Sequence, residues 1–180
     1  MFKSQLPKIE KTDFIVTFEA LGENSNPVML TQSEYMRRMK EMANIQAGMS
    51  FYGEMPDMFN LVLNVDHKLV KQVLNDADNS CKAALEPIET EMTSLNKRHD
   101  ELHKAQEGKK ADEIPQAEKD ELSDVEKKLA DEKTKKEAVL GEYAGGNKVI
   151  RQLIDLALLQ NNMLKGEALT NFVKRSIELI

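Results

Sequence analysis

The chain of 180 residues has no tryptophan, a single cysteine and only nine aromatic side chains. Each shortage excludes something. A lone thiol, Cys81, closes no internal disulfide, so the chain is not a cystine-stapled secreted domain, and a reducing, cytoplasmic setting is the expectation. No apolar run approaches the roughly 20 residues that a membrane-spanning helix needs, and the first residues lack the apolar core of a signal peptide. Excess positive charge is missing too: 25 Lys and Arg face 31 Asp and Glu, a net charge of −6. Nucleic-acid and membrane partners are therefore not expected, because phosphate contacts need clustered cations. What is present is 41% apolar and 31% charged, the composition of one modest core with long solvated helices attached.

The charge locates the organisation. Glu86 to Glu142 contains 17 acids against 11 bases, hence the whole net charge, while the remainder is balanced. That stretch has no Phe or Tyr and few large apolar residues, so it builds no core of its own. It reads as a charged helical insertion, 79–146, between an α+β subdomain, 1–78, and a helical segment, 147–180.

In the first region Asp13 to Ala20 alternates Phe14, Val16 and Phe18 against Thr17 and Glu19, the two-residue period of a half-buried strand. GENSNP, from Gly22 to Pro27, is turn chemistry, and Val28 to Leu30 resumes a short strand. Phe59 to Val65 alternates again, with Asn60 and Asn64 on the face opposite Phe59, Leu61, Leu63 and Val65. A helix capped by Thr31 or Ser33 runs between them to about Ala47, ended by Gly48. Asp66 is the expected N-cap of the next helix, whose stripe is Leu69, Val70, Val73 and Leu74.

Within the insertion, Cys81, Leu85, Ile88, Met92, Leu95, His99 and Leu102 are spaced by four and three in alternation, a coiled-coil seam. Pro87 falls inside it and marks either a kink or a new helix start. GKKADEIP, from Gly108 to Pro115, breaks the pattern. A thinner ladder follows in Leu122, Val125, Leu129, Val139, Leu140 and Tyr143, with Glu132 and Lys136 at seam positions. Folding at the break pairs Leu102 with Leu122, Leu95 with Leu129 and Leu85 with Val139 or Leu140. The result is a protruding antiparallel hairpin with arms about 35 to 40 Å long at 1.5 Å per residue. Beyond Gly146, NKVIRQLIDLALLQNN is apolar on almost every side, and ALTNFVKRSIELI carries Leu169, Phe172, Val173, Ile177 and Ile180 as a stripe. Two such helices need two covering surfaces, one of them offered by a second copy about a twofold axis.

Catalytic constellations are thin. GEYAGGNK, Gly141 to Lys148, has Asn147 where a phosphate loop needs lysine and Val149 where it needs Ser or Thr, with no strand before it, so it reads as a helix break. His99 and His103 stand i, i+4 but do not match the zinc-protease pattern, and spacing supplies no third ligand, so no metal site is expected. Cys81 is a small buried hydrophobe. No catalytic residue and no cofactor site is assigned. Methionine is the exception: Met29, Met36, Met39, Met42, Met49, Met55 and Met58 crowd a 30-residue stretch. The stripe Met36, Met39, Met42 either packs on the sheet or, with Tyr35, Phe51 and Tyr52, grips varied apolar partners, since thioethers adapt to irregular shapes.

TQSEYMRRMKEM (Thr31 to Met42), NVDHKLVKQV (Asn64 to Val73), IRQLIDLALL (Ile150 to Leu159) and the closing FVKRSIELI resemble, in this order, the C-terminal domain of the ninety-kilodalton heat-shock chaperones in their bacterial form. The resemblance covers 13–78 and 147–180, over half the chain. It implies an α+β fold with a small three-stranded sheet and packed helices, and a C-terminal helix pair forming a four-helix bundle across a homodimer. It implies that Leu153, Ile154, Ala157, Leu158, Phe172, Val173 and Ile177 carry that contact. Tyr35, Met36, Met39 and Met42 would then border a client-binding cleft for unfolded proteins. It also implies that ATP and magnesium bind an N-terminal domain outside this chain, so the chain itself is not an enzyme but a fragment of a stress-response, protein-folding chaperone. The tail that recruits helical-repeat cochaperones has no counterpart, and neither does the charged hairpin. The alternative reading is a free-standing coiled-coil scaffold or prefoldin-like holder whose working part is the hairpin.

Overall fold

The computed structural model describes residues 1–43, 55–108 and 114–179. Chain contacts divide it into two units, Met1–Asp76 with Ala144–Ile180, and Ala77–Tyr143. The fold is α+β, with one small mixed sheet and five α-helices among the described residues.

In the first unit a short 3-10 helix, Phe2–Gln5, precedes strands β1 (Thr12–Glu19), β2 (Val28–Gln32) and β3 (Asp57–Asn64). β3 is central, parallel to β1 and antiparallel to β2. The register sets Phe14 opposite Phe59, Val16 opposite Leu61, and Val28 opposite Leu63, so these side chains share one face. Leu61, Leu63 and Val28 are wholly buried. Phe18 belongs to the same face by alternation, yet it is exposed. The expected burial fails there because Phe18 sits near the end of an edge strand, whereas the covering helix α4 (Lys148–Gln160) lies against β2 at the other edge.

A second departure is Asn64. Alternation assigns it to the wet face with Asn60, but it is 0% exposed. Its Oδ1 accepts from the backbone N–H of Leu21 and of Asp66, both at 3.1 Å. Its Nδ2 donates to the carbonyls of Gly22 at 2.8 Å and Asn26 at 3.4 Å. The amide thus sews the β1–β2 loop to the end of β3. Gly22, at φ +83°, holds a left-handed conformation that presents its own N–H to Asp66 Oδ2 at 2.9 Å. Asp66 is therefore occupied and does not cap the next helix. His67 does so instead, with Nδ1 accepting from Leu69 N–H at 3.2 Å, and α2 runs from Lys68 to Gln106.

α1 (Glu34–Ala43) begins directly after Ser33. Its expected end near Ala47, with Gly48, Met49, Phe51 and Tyr52, lies outside the described residues. Glu34 bonds Arg37 and Arg38 one turn on, and Arg37 reaches Glu41 as well. These hydrogen bonds, Arg37's first and Arg38's second, hold the Glu34 carboxyl at about 2. Lys40 Nζ meets Asp57 Oδ1 at 2.8 Å and ties the helix to the start of β3.

In the second unit the remainder of α2 and helix α3 (Gln116–Gly146) pack antiparallel. Leu95, Leu102, Val125 and Leu129 form the buried seam with Leu122 against it, and Arg98–Glu121 and Lys136–Glu89, both 2.7 Å, bridge the arms in the same register. Pro87 lies inside α2, so the helix passes through it rather than restarting. Cys81 and Leu85 are buried as the ladder requires.

Asn64→Ala should lower stability by about 3 kcal/mol in urea unfolding, because removing the amide strands buried backbone groups. Asn64→Asp should be comparably damaging at neutral pH, since a carboxylate oxygen would face the carbonyls of Gly22 and Asn26. Glu34 has its folded value below the unfolded one, so its contribution is complete above pH 4.5 and fades as pH falls towards 2. An NMR titration should place its midpoint near 2, and Arg37→Ala should move it back up.

Candidate functional site

The C-terminal helices differ sharply from each other. Asn147 caps α4 through Oδ1, which accepts from Val149 N–H at 3.0 Å and Ile150 N–H at 3.1 Å. Ile150, Leu153, Ile154, Ala157 and Leu158 then form a stripe at helical spacing, and all five are buried. Four of the seven side chains expected at a subunit contact, Leu153, Ile154, Ala157 and Leu158, thus lie in the core of their own chain. The reason is that the sheet needs a cover, and α4 lies against β2. A second stripe, Val149, Leu156 and Leu159 with Gln152, occupies the opposite side of α4 and is half-buried.

Helix α5 (Gly166–Glu178) buries no residue at all. Ile177 is 70% exposed, Val173 48% and Leu169 36%, while Phe172 is half-buried. What holds α5 to α4 is polar. Arg175 pairs with Asp155, Gln152 Nε2 donates to Ser176 Oγ at 2.6 Å, and Lys148 Nζ meets Glu178 Oε2 at 2.8 Å. Burial pushes the Asp155 carboxyl up, against the pull of Arg175 and Arg151. The Lys148 bond holds Glu178 below the ordinary carboxylate range. At 100° per residue Arg175 and Glu178 fall away from Leu169, Val173 and Ile177, while Ser176 lies beside Leu169. The polar contacts thus reach the edge of the apolar stripe, and Val173 and Ile177 beyond it are left bare.

On α1 the methionines divide. Met36 and Met39 are half-buried on the side of the buried Ala43, whereas Met42 and Tyr35 point outward, Tyr35 at 65% exposure. The stripe is partly packing and partly surface.

The glycine-rich segment Gly141 to Lys148 does not form a phosphate loop. Gly141, Gly145 and Gly146 are helical residues of α3, Asn147 is a cap, and the Lys148 ammonium is engaged by Glu178. These residues do not fit a nucleotide or its magnesium ion. In the hairpin, His99 and His103 bring their rings to 4.5 Å between centroids. Glu126 from α3 joins them, so one donor atom of each lies within 4.8 Å of the others. Sequence spacing missed Glu126 because it belongs to the other arm. The signal was the inter-arm register: pairing Leu95 with Leu129 sets residue 125 across from His99 and residue 126 beside it.

No family model matches the chain, and no solved structure matches it. Curated relatives do. A chaperone protein HtpG of Bacteroides fragilis is 71% identical over 99% of this chain, and one of Bacteroides thetaiotaomicron is 69% identical over 99%. One of Porphyromonas gingivalis is 42% identical over 100%. The chain spans about a quarter of the length of these relatives, 26% in each case. Matches of this extent run through the charged hairpin, so the segment that the resemblance left without counterpart is shared with these relatives. Identity at this level along the whole sequence, on an α+β fold of the expected kind, shows that the chain belongs to the HtpG family of chaperones.

Proposed function

We propose that this chain is the C-terminal homodimerisation and client-contact domain of an ATP-dependent chaperone, cytoplasmic, with no catalytic role of its own. The observation that carries this reading is α5: an amphipathic helix tied to α4 by three polar contacts while Leu169, Val173 and Ile177 remain exposed. A contiguous apolar stripe of this kind marks an interaction surface. Its continuation on α4, through Val149, Leu156 and Leu159, makes a two-helix surface, and a second copy about a twofold axis covers it with itself. The contact is then carried by Phe172, Val173 and Ile177, while Leu153, Ile154, Ala157 and Leu158 support it from beneath as core.

Permanent joining at this end keeps two ATPase arms, in the part of the protein outside this chain, at high effective concentration, so their closure is an intramolecular event. Tyr35 and Met42 offer partly unfolded clients an adaptable apolar contact. The holder reading finds no such support in the hairpin. Among the described residues no large apolar side chain between Ala77 and Tyr143 is exposed, so that unit has little with which to grip a client.

Sedimentation should find a dimer at micromolar concentration, and a monomer there would sink the proposal. Ile177→Asp should give a folded monomer. The substitution strikes twice per dimer and costs about 1.5 to 3 kcal/mol at each copy, weakening association some hundredfold or more. Ile154→Asp should behave differently and unfold the chain, since it places a charge in the core at a cost above about 4 kcal/mol. Tyr35→Ser with Met42→Ser should leave the dimer intact and reduce suppression of client aggregation by the full-length chaperone.

A further inference from the structure

We propose that His99, His103 and Glu126 form a binding site for a divalent transition-metal ion of the zinc type, which would clip the two arms of the hairpin together. The donor set is that of a three-ligand zinc site, two imidazoles and a carboxylate, leaving a fourth position for water. His99 and His103 are one helical turn apart, so both rings lie over the same patch of α2, with centroids 4.5 Å apart. Glu126 enters from α3, and the three donor atoms sit within 4.8 Å of one another. A tetrahedral ion with bonds of about 2.0 to 2.1 Å needs its donors some 3.3 Å apart, which side-chain rotation of about 1 Å supplies.

The surroundings select the ligating atom. His99 Nδ1 faces Asp100 Oδ1 at 3.8 Å, and His99 Nε2 faces Glu126 Oε1 at 3.8 Å. Both distances exceed a hydrogen bond, and of the two nitrogens Nε2 is the one turned to the carboxylate of the other arm, so it is the atom placed to share an ion with Glu126. The neighbouring cation Arg98 is engaged by Glu121 at 2.7 Å and Glu101 at 3.2 Å, so its charge is balanced beside the site. His99 also occupies a seam position, half-buried between Leu95 and Leu102 of the ladder. A metal there replaces a weak apolar step in the seam with coordinate bonds spanning both arms. Imidazole donors favour zinc, nickel and copper(II) and disfavour magnesium and calcium, which take oxygen.

Zinc chloride titrated into the full chain by calorimetry should reveal one ion per chain at micromolar zinc and raise the thermal midpoint. Nickel should compete, and magnesium should not. Glu126→Gln and His103→Ala stand at exposed positions and should keep the wild-type circular dichroism. Each should weaken zinc by more than the roughly tenfold loss expected of Asp100→Asn, which removes only an outer partner. His67→Asn, remote in sequence from the trio, should bind as the parent does. Absence of binding at micromolar zinc, half an ion per chain, or an unchanged isotherm in Glu126→Gln and His103→Ala would each overturn the proposal.

Discussion

The contact of α4 with the sheet decides how the C-terminal region can be used. A three-stranded sheet is too small to exclude water from its own face, and Leu61, Leu63 and Val28 reach full burial only under a cover. Ile150, Ile154 and Leu158 provide it and are themselves wholly buried. Once that stripe is committed, α5 is left the other side of α4, where Lys148, Gln152 and Asp155 stand among apolar residues. It attaches through Arg175–Asp155, Gln152–Ser176 and Lys148–Glu178 instead, and its own apolar residues turn away.

The hairpin meets the opposite constraint. Its seam is a thin line of Leu95, Leu102, Val125 and Leu129, with Glu132 and Lys136 at positions an apolar ladder would fill. Surface ion pairs such as Arg98–Glu121 contribute little each in water. They do more to fix register, because a shift of the arms past one another would separate Arg98 from Glu121 and Lys136 from Glu89 together. The same register brings Glu126 to His99, so whatever holds the arms in step also assembles the histidine cluster.

Much of this was legible in the residues. Period two located β1 and β3, turn chemistry set β2 after Pro27, and three-four spacing located both hairpin arms and their register, because each periodic pattern records a face that must meet an apolar neighbour. What escaped were the places where a local signal competed with a tertiary one. Asn64 reads as a solvent-facing polar residue of an alternating strand, and nothing nearby in sequence announces that the carbonyls of Gly22 and Asn26 will need its donors. Asp66 has the chemistry of a helix cap, yet Gly22 N–H takes it first. The two C-terminal helices look alike as apolar segments. That one is core and the other surface follows from which of them reaches the sheet, a fact with no local signature.

The magnitudes also limit how small the subunit contact can be. Leu169, Val173 and Ile177 are only 36%, 48% and 70% exposed, so just part of each side chain is left to bury on association and the gain falls short of full burial. Association costs about 4 to 15 kcal/mol in lost freedom. An α5 pair by itself is therefore marginal, and a permanent dimer needs more apolar area than three residues per chain supply. The half-buried stripe Val149, Leu156 and Leu159 on the outer side of α4 is the nearest source. It stands beside Gln152, whose amide bonds Ser176 of α5, so this stripe adjoins α5. That geometry favours a four-helix contact over a two-helix one. In the proposed dimer α4 would serve as core cover on one side and as interface on the other, which would account for a sequence apolar nearly all the way round.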